Sequence, residues 1–112
     1  DLWSLAVAPS MKASLVVESW RRGDPVDKNC KEKYPVVDAM YIQLSGTSDF
    51  KYTKDHSKYA RSIDRKDAVV CIGDINRMTS QYVRGGGTVC MRDPQLWNAF
   101  ALFKEADYCP LP

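Results

Sequence analysis

Apolar, β-branched residues come in short runs separated by turn-forming stretches. Ser14 to Trp20 (SLVVESW) is the first, and it stops at Arg21 to Asp27, a stretch containing Gly23 and Pro25. A run this short and this rich in Val predicts a strand leaving for a loop. Pro35 to Leu44 (PVVDAMYIQL) predicts a second strand, followed by a loop over Ser45 to Asp49, where Ser, Gly, Thr and Asp all favour turns. Ala68 to Ile72 (AVVCI), ending at Gly73, reads as a buried strand, and Thr88 to Met91, after three glycines, as another. Leu2 to Ala13 admits two readings, a short helix interrupted at Pro9 or an edge segment.

The period becomes helical after Asp93-Pro94, an N-cap carboxylate with proline at the first helical position. Leu96, Phe100 and Phe103, with Trp97 and Ala101 alongside, form an apolar stripe that predicts a helix through about Glu105 and a core-facing side for it. Strands separated by loops and closed by a helix predict a mixed α/β fold, one domain over residues 1–112. No internal repeat or low-complexity segment interrupts it.

Composition narrows the class further. The chain has 112 residues, 45% hydrophobic and 27% charged, which excludes a disordered tail, a collagen or a coiled coil. Its longest uncharged apolar stretch, Leu2 to Met11, is broken by Pro9 and falls far short of the roughly 18 residues that suggest a membrane span, so neither a span nor a signal peptide is expected. Four cysteines, at 30, 71, 90 and 109, include no Cys-x-x-Cys pair and have one His for company, so a zinc site is not expected. An even cysteine count in a small domain favours two disulfides and an oxidising compartment; three pairings are open, and four buried thiols in a reducing compartment is the other reading. Asn29, Asn76 and Asn98 lack the Ser or Thr that N-glycosylation needs.

Net charge is +2, but it is unevenly distributed. Between Lys51 and Arg92 there are nine basic residues (Lys51, Lys54, Lys58, Arg61, Arg65, Lys66, Arg77, Arg84, Arg92) against four acids (Asp55, Asp64, Asp67, Asp74). Interleaved with Tyr52, Tyr59 and Tyr82 and holding the one His, this segment suits either an anionic polymer or an ordinary solvated surface.

Three clusters carry candidate chemistry. In Asp55-His56-Ser57-Lys58, an extended backbone sends the imidazole and the ammonium to the same face, where both can meet one phosphate. Imidazole can attack phosphorus or protonate a leaving oxygen. In Gly73-Asp74-Ile75-Asn76-Arg77, glycine permits a sharp turn at a strand's mouth, Asn76 brings neutral donors and Arg77 a charged fork. Arg84-Gly85-Gly86-Gly87-Thr88 retains three glycines, as a backbone does where it needs positive φ or a close approach to something. Read singly, each is also an ordinary surface pair, an Asx turn or a hairpin connection.

Taken in order, His-Ser-Lys, Cys-Ile-Gly-Asp-Ile-Asn-Arg, Arg-Gly-Gly-Gly-Thr-Val-Cys and Pro-Gln-Leu-Trp-Asn-Ala-Phe, the sequence resembles the C-terminal part of the deoxyribonuclease II (acid DNase) family, which includes a starfish venom toxin, plancitoxin. Val17 to Arg22, Asn29-Cys30 and Tyr108-Cys109-Pro110 also fit. The resemblance implies half of a phospholipase D-like α/β sandwich, stabilised by disulfides pairing Cys71 with Cys90 and Cys30 with Cys109. It implies His56 as a catalytic histidine, Lys58 as its phosphate-binding partner and Asn76 as a further phosphate contact, with Asp74 beside it at the substrate where the matching Gly-Ser-x-Asn segment has Ser; Arg77 and Arg84 are the basic residues expected nearby. DNA would be cut without a metal or other cofactor. Tyr59 and Ala60 stand where relatives tend to have Trp and Cys, a departure that touches pocket details.

The family's other His-x-Lys lies in its N-terminal half, and this chain has one His in all. The expectation is therefore the C-terminal chain of a processed precursor, incomplete by itself as an enzyme, partnered by an N-terminal chain carrying the second His-x-Lys, acting on DNA and located in a lysosome or outside the cell. The alternative is a non-catalytic secreted homologue, a storage, venom or binding protein that keeps the scaffold.

Overall fold

A computed structural model describes residues 1–21, 26, 28, 30–45, 48–78 and 85–110, with the Ser45 side chain excepted. A π-helical turn, Trp3–Val7, runs directly into α1, Ala8–Met11. Pro9 does not break this segment: it falls in the first turn of α1, and Val7 and Ala8 before it keep helical backbone angles. Of the two readings of Leu2 to Ala13, the helix is the one observed. Trp3 is fully enclosed and its Nε1 donates to Ile75 O at 3.3 Å, which fastens the helix to the segment after β5.

The strands are β1 (Leu15–Glu18), β2 (Val36–Ser45), β3 (Ser48–Lys51), β4 (Tyr59–Ser62), β5 (Val69–Gly73), β6 (Thr88–Arg92) and β7 (Phe103–Ala106). They form one seven-stranded sheet in the order β3-β2-β1-β4-β5-β6, with β7 also paired to β2. β1 and β2 are parallel, Leu15 opposite Val36, and the other pairs are antiparallel. β1 lies between β2 and β4 and is covered on both faces, so Leu15 to Val17 are apolar without alternation. Leu15 and Val17 pack with Trp3, Val7, Ala60 and Val69 on the α1 face. Val16 points the other way, with Val37, Ala39 and Ile42, against Phe50, Leu102 and Phe103.

The disulfides join Cys71 to Cys90, directly opposite each other on β5 and β6, and Cys30 to Cys109. Asp93 caps α2 (Pro94–Ala99) by accepting from the amides of Gln95 and Leu96 at 2.9 and 3.1 Å. The helix does not continue to Glu105. It ends at Ala99, and Phe103 enters β7, pairing with Ile42 of β2. The apolar stripe is divided accordingly: Leu96, Trp97 and Phe100 pack with Ala68 and Val70, and Phe103 joins the cluster around Ile42. The loop expected over Ser45 to Asp49 is shorter than its composition suggests, since β2 runs to Ser45 and β3 starts at Ser48; residues 46–47 lie outside the described ones.

Candidate active site

The His56 segment connects β3 to β4 through a single 3-10 turn, Tyr52–Lys54. Asp55 leaves this turn in extended conformation, φ −123° and ψ 124°, and its carboxylate takes up both the amide of Ser57, at 3.0 Å, and the Ser57 hydroxyl, at 2.7 Å. This local closure presents His56 outward. The exposed imidazole stacks on the indole of Trp20, ring centroids 4.5 Å apart and planes inclined by 23°. Lys58 Nζ donates to the carbonyl of His56 at 2.8 Å, so the ammonium and the imidazole project from one short stretch of chain.

Trp20 is held at both ends. Its Nε1 donates to Thr53 O at 3.0 Å, and its backbone N–H donates to Asn76 Oδ1 at 2.8 Å. Asn76 is thus connected to His56 through Trp20. It is buried, and one of its acceptor sites is taken by that amide.

His56, Lys58, Asp55 and Asp74 line a cavity of about 750 Å³ whose remaining wall is largely apolar, including Ile42, Leu44, Phe50, Ile72 and Leu102. Asp74 sits at its rim with one oxygen already engaged, since Oδ1 accepts from Gly87 N at 2.8 Å. The middle glycine of the run is held just as closely. A Cβ on Gly86 would lie 2.5 Å from Asp74 Oδ1 and from Ile75 Cδ1, closer than any side chain can stand. The Cys71–Cys90 disulfide ties the strand leading to Asp74 against the strand that follows the glycines.

Arg77 is placed elsewhere. Its side chain is 1% exposed, with Nη2 2.8 Å from Asp1 Oδ2 and Nη1 3.1 Å from Asp38 Oδ1, and its amide donates to Ser19 Oγ at 3.0 Å. The guanidinium expected at the substrate is enclosed among carboxylates of the interior, away from the cavity. Burial still pushes Asp38 above the ordinary carboxylate range, against the opposing pull of Arg77 and Arg21. Arg84 and Tyr82 lie outside the described residues. Among the described residues no group of three or more His, Cys, Asp or Glu side chains is placed to hold a metal ion, and no helix is long and apolar enough to cross a membrane.

Two residues of this site escape a reading of motifs. Trp20 carries no mark of its role, because the residue it stacks on is distant in sequence. Glu18 carries a visible one, a carboxylate inside an otherwise apolar strand, and it proves fully enclosed beside Asp55.

The arrangement defines a disulfide-tied α/β chain that offers an imidazole and an ammonium together at the mouth of a cleft, a pairing suited to phosphate. The sequence profile of the Deoxyribonuclease II family matches residues 1–109, and the chain belongs to that family. It is 51% identical over 109 residues to Deoxyribonuclease-2 of Caenorhabditis elegans, an alignment covering 97% of this chain and 29% of the relative. It is 41% identical over 101 residues to Plancitoxin-1 of Acanthaster planci, covering 89% and 28%. Deoxyribonuclease-2-alpha of Mus musculus is 34% identical over 113 residues, covering 97% and 31%. The chain therefore spans less than a third of the length of these relatives.

Proposed function

We propose that this chain is the C-terminal part of a deoxyribonuclease II-type endonuclease, half of a phospholipase D-like sandwich, and that it supplies one of two half-sites for hydrolysis of DNA phosphodiesters. The observation that carries the reading is the pair His56 and Lys58, on one short segment at the mouth of the cavity, in a chain of this family. The other His-x-Lys would come from an N-terminal chain of the same precursor. The relatives are about three times the length of this chain, which leaves room for such a part.

In the proposed reaction one neutral imidazole attacks phosphorus in line. The phosphorus–oxygen bond to the 5′-oxygen breaks, and the other ring, as imidazolium, gives that oxygen its proton. Water then hydrolyses the phosphohistidine. Lys58 is near enough to His56 to offset charge on the non-bridging oxygens. Asn76 and Asp74 act one step back, Asn76 by holding Trp20 under the imidazole and Asp74 by holding the glycine turn. Arg77 is assigned no substrate contact. No step calls for a metal or other cofactor. The need for one neutral and one protonated imidazole suits an acidic compartment, and the two disulfides suit a lysosomal or secreted protein.

The test is a paired measurement on the full-length protein and its His56→Asn variant: DNA retention on a filter and plasmid nicking at mildly acidic pH in excess EDTA. Retention is expected to survive while nicking falls by about two orders of magnitude or more. Nicking of the variant at the wild-type rate would make His56 an ordinary surface histidine and leave a non-catalytic homologue. Abolition of wild-type nicking by EDTA, with rescue by Mg²⁺, would overturn the metal-independent chemistry. Intact mass before and after reduction reveals whether a second chain is present.

A further inference from the structure

One buried acid has no part in the reaction proposed above. Glu18 ends β1 and is 0% exposed. It lies opposite Tyr59 across the β1–β4 pair, on the face of Val16 by alternation along the strand, with the Asp55 carboxyl within hydrogen-bonding reach. A carboxylate so enclosed requires a close cation and a donor for each oxygen. Glu18 has neither in full. Arg21 Nη1 is 3.5 Å from Oε1, while its shorter bond, 2.6 Å, goes to Ser19 O. The same guanidinium also serves Ala39 O and faces Asp38 at 3.8 Å. Glu18 Oε2 has no hydrogen-bond partner among the described residues, and neither has the hydroxyl of Tyr59.

Two ionised carboxylates side by side repel and offer only acceptors to each other. A single proton on Glu18 changes both facts, turning its carboxyl into a donor for Asp55. We infer that Glu18 is a positioning residue of the His56 segment: its carboxyl keeps its proton and donates it to Asp55, whose other bonds, to the amide and hydroxyl of Ser57, fasten the stretch that presents His56 and Lys58. Burial and the neighbouring Asp55 push the Glu18 pKa up to about 9, with Arg21 pulling the other way. The groups that set this balance are Asp55 from the segment before β4, Arg21 from the segment after β1 and the Ser19 backbone, while Tyr59 of β4 faces Glu18 across the strand pair.

The importance of the pair for catalysis rests on the nuclease reading, but the state of Glu18 is testable without it. A group whose folded pKa is raised binds more protons folded than unfolded, so folding stability declines as pH rises from the ordinary carboxylate range toward that value. The experiment compares the full-length protein with its Glu18→Gln and Glu18→Ala variants. Thermal midpoints are read at pH 5 and pH 8, and hydrogen exchange is followed in the peptide spanning residues 55–59. Glutamine has the same shape and a permanent donor toward Asp55, so its midpoint should drop less than the wild type's between pH 5 and pH 8, and its 55–59 exchange should match the wild type at pH 5. Alanine, which donates nothing, should speed that exchange by about tenfold. A deficit of Glu18→Gln that stays constant or widens from pH 5 to pH 8 would show a Glu18 already ionised at pH 5 and overturn the inference. Exchange in Glu18→Gln as fast as in Glu18→Ala would overturn it as well. Neither readout uses cleavage, so failure of the nuclease reading in the His56→Asn experiment would leave this result standing, and the reverse also holds.

Discussion

His56 owes its direction to the local Asp55–Ser57 closure and to Trp20, which is remote in sequence. Truncating Trp20 to Ala removes the ring beneath the imidazole and the bond to Thr53 O, while Phe retains a stacking surface. Trp20→Ala is expected to cut nicking by the full-length protein by about tenfold or more with DNA retention preserved, and Trp20→Phe to lie between it and wild type, on the magnitude of an aromatic contact plus one hydrogen bond. Equal nicking rates for all three would exclude a positioning role. Arg77 gives the opposite kind of prediction. Arg77→Met leaves the interior carboxylates of Asp1 and Asp38 without their shared cation, and the expected loss is about 3 kcal/mol in urea unfolding. Because the guanidinium is enclosed, DNA affinity of the folded variant should keep the wild-type salt dependence. A phosphate contact would instead lower the salt slope by about one unit.

Among the elements, strands whose own residues favour extension were legible as sequence. β1, β2, β5 and β6 all coincide with apolar β-branched runs, and the start of α2 was marked by Asp93-Pro94. The strands missed are three short ones without an apolar β-branched run: SDFK in β3, YARS in β4 and FKEA in β7. β4 is a strand because it lies between β1 and β5, which satisfy its amides on both edges. FKEA favours a helix intrinsically, yet burial of Phe103 beside Ile42 outweighs a propensity worth a few tenths of a kcal/mol per residue. The glycine turn provides the prediction at this scale. Gly86→Ala drives a methyl into Asp74 and Ile75 and should cost roughly 1–3 kcal/mol by overpacking, whereas Gly85→Ala, with open space around it, should cost little. Comparable urea midpoints for the two variants would mean that the close approach to Asp74 is not constraining.

Across the whole molecule, the Cys30–Cys109 bond spans 79 positions, far more than the 19 of Cys71–Cys90. Cys109 packs against the cluster of Val37, Ala39 and Ile42, so this bridge holds the chain after β7 onto the face where β2 and β7 meet. On the loop-entropy account, replacing Cys30 and Cys109 by Ala should cost about 4 kcal/mol and replacing Cys71 and Cys90 about 3 kcal/mol. Urea unfolding of the two double variants tests the order. If the shorter bridge proves the costlier, native-state packing around enclosed Cys71 outweighs loop closure.

The chemistry of the site was written in short motifs that need no fold to be seen: His56 and Lys58 two positions apart, a glycine run, a capped helix start and four cysteines. Such features are local, because one or two covalently adjacent residues set backbone conformation and side-chain reach. What surrounds them was not local. The support of His56 by Trp20, the bond from Trp20 to Asn76, the closure of Asp74 on Gly87 and the enclosure of Arg77 between Asp1 and Asp38 all join residues brought together by sheet order. A guanidinium beside a phosphate and one beside two buried carboxylates are the same residue in a sequence. Only the packing of α1 and β2 around β1 decides which of them Arg77 becomes, because burial, not residue type, selects the partner of a charge.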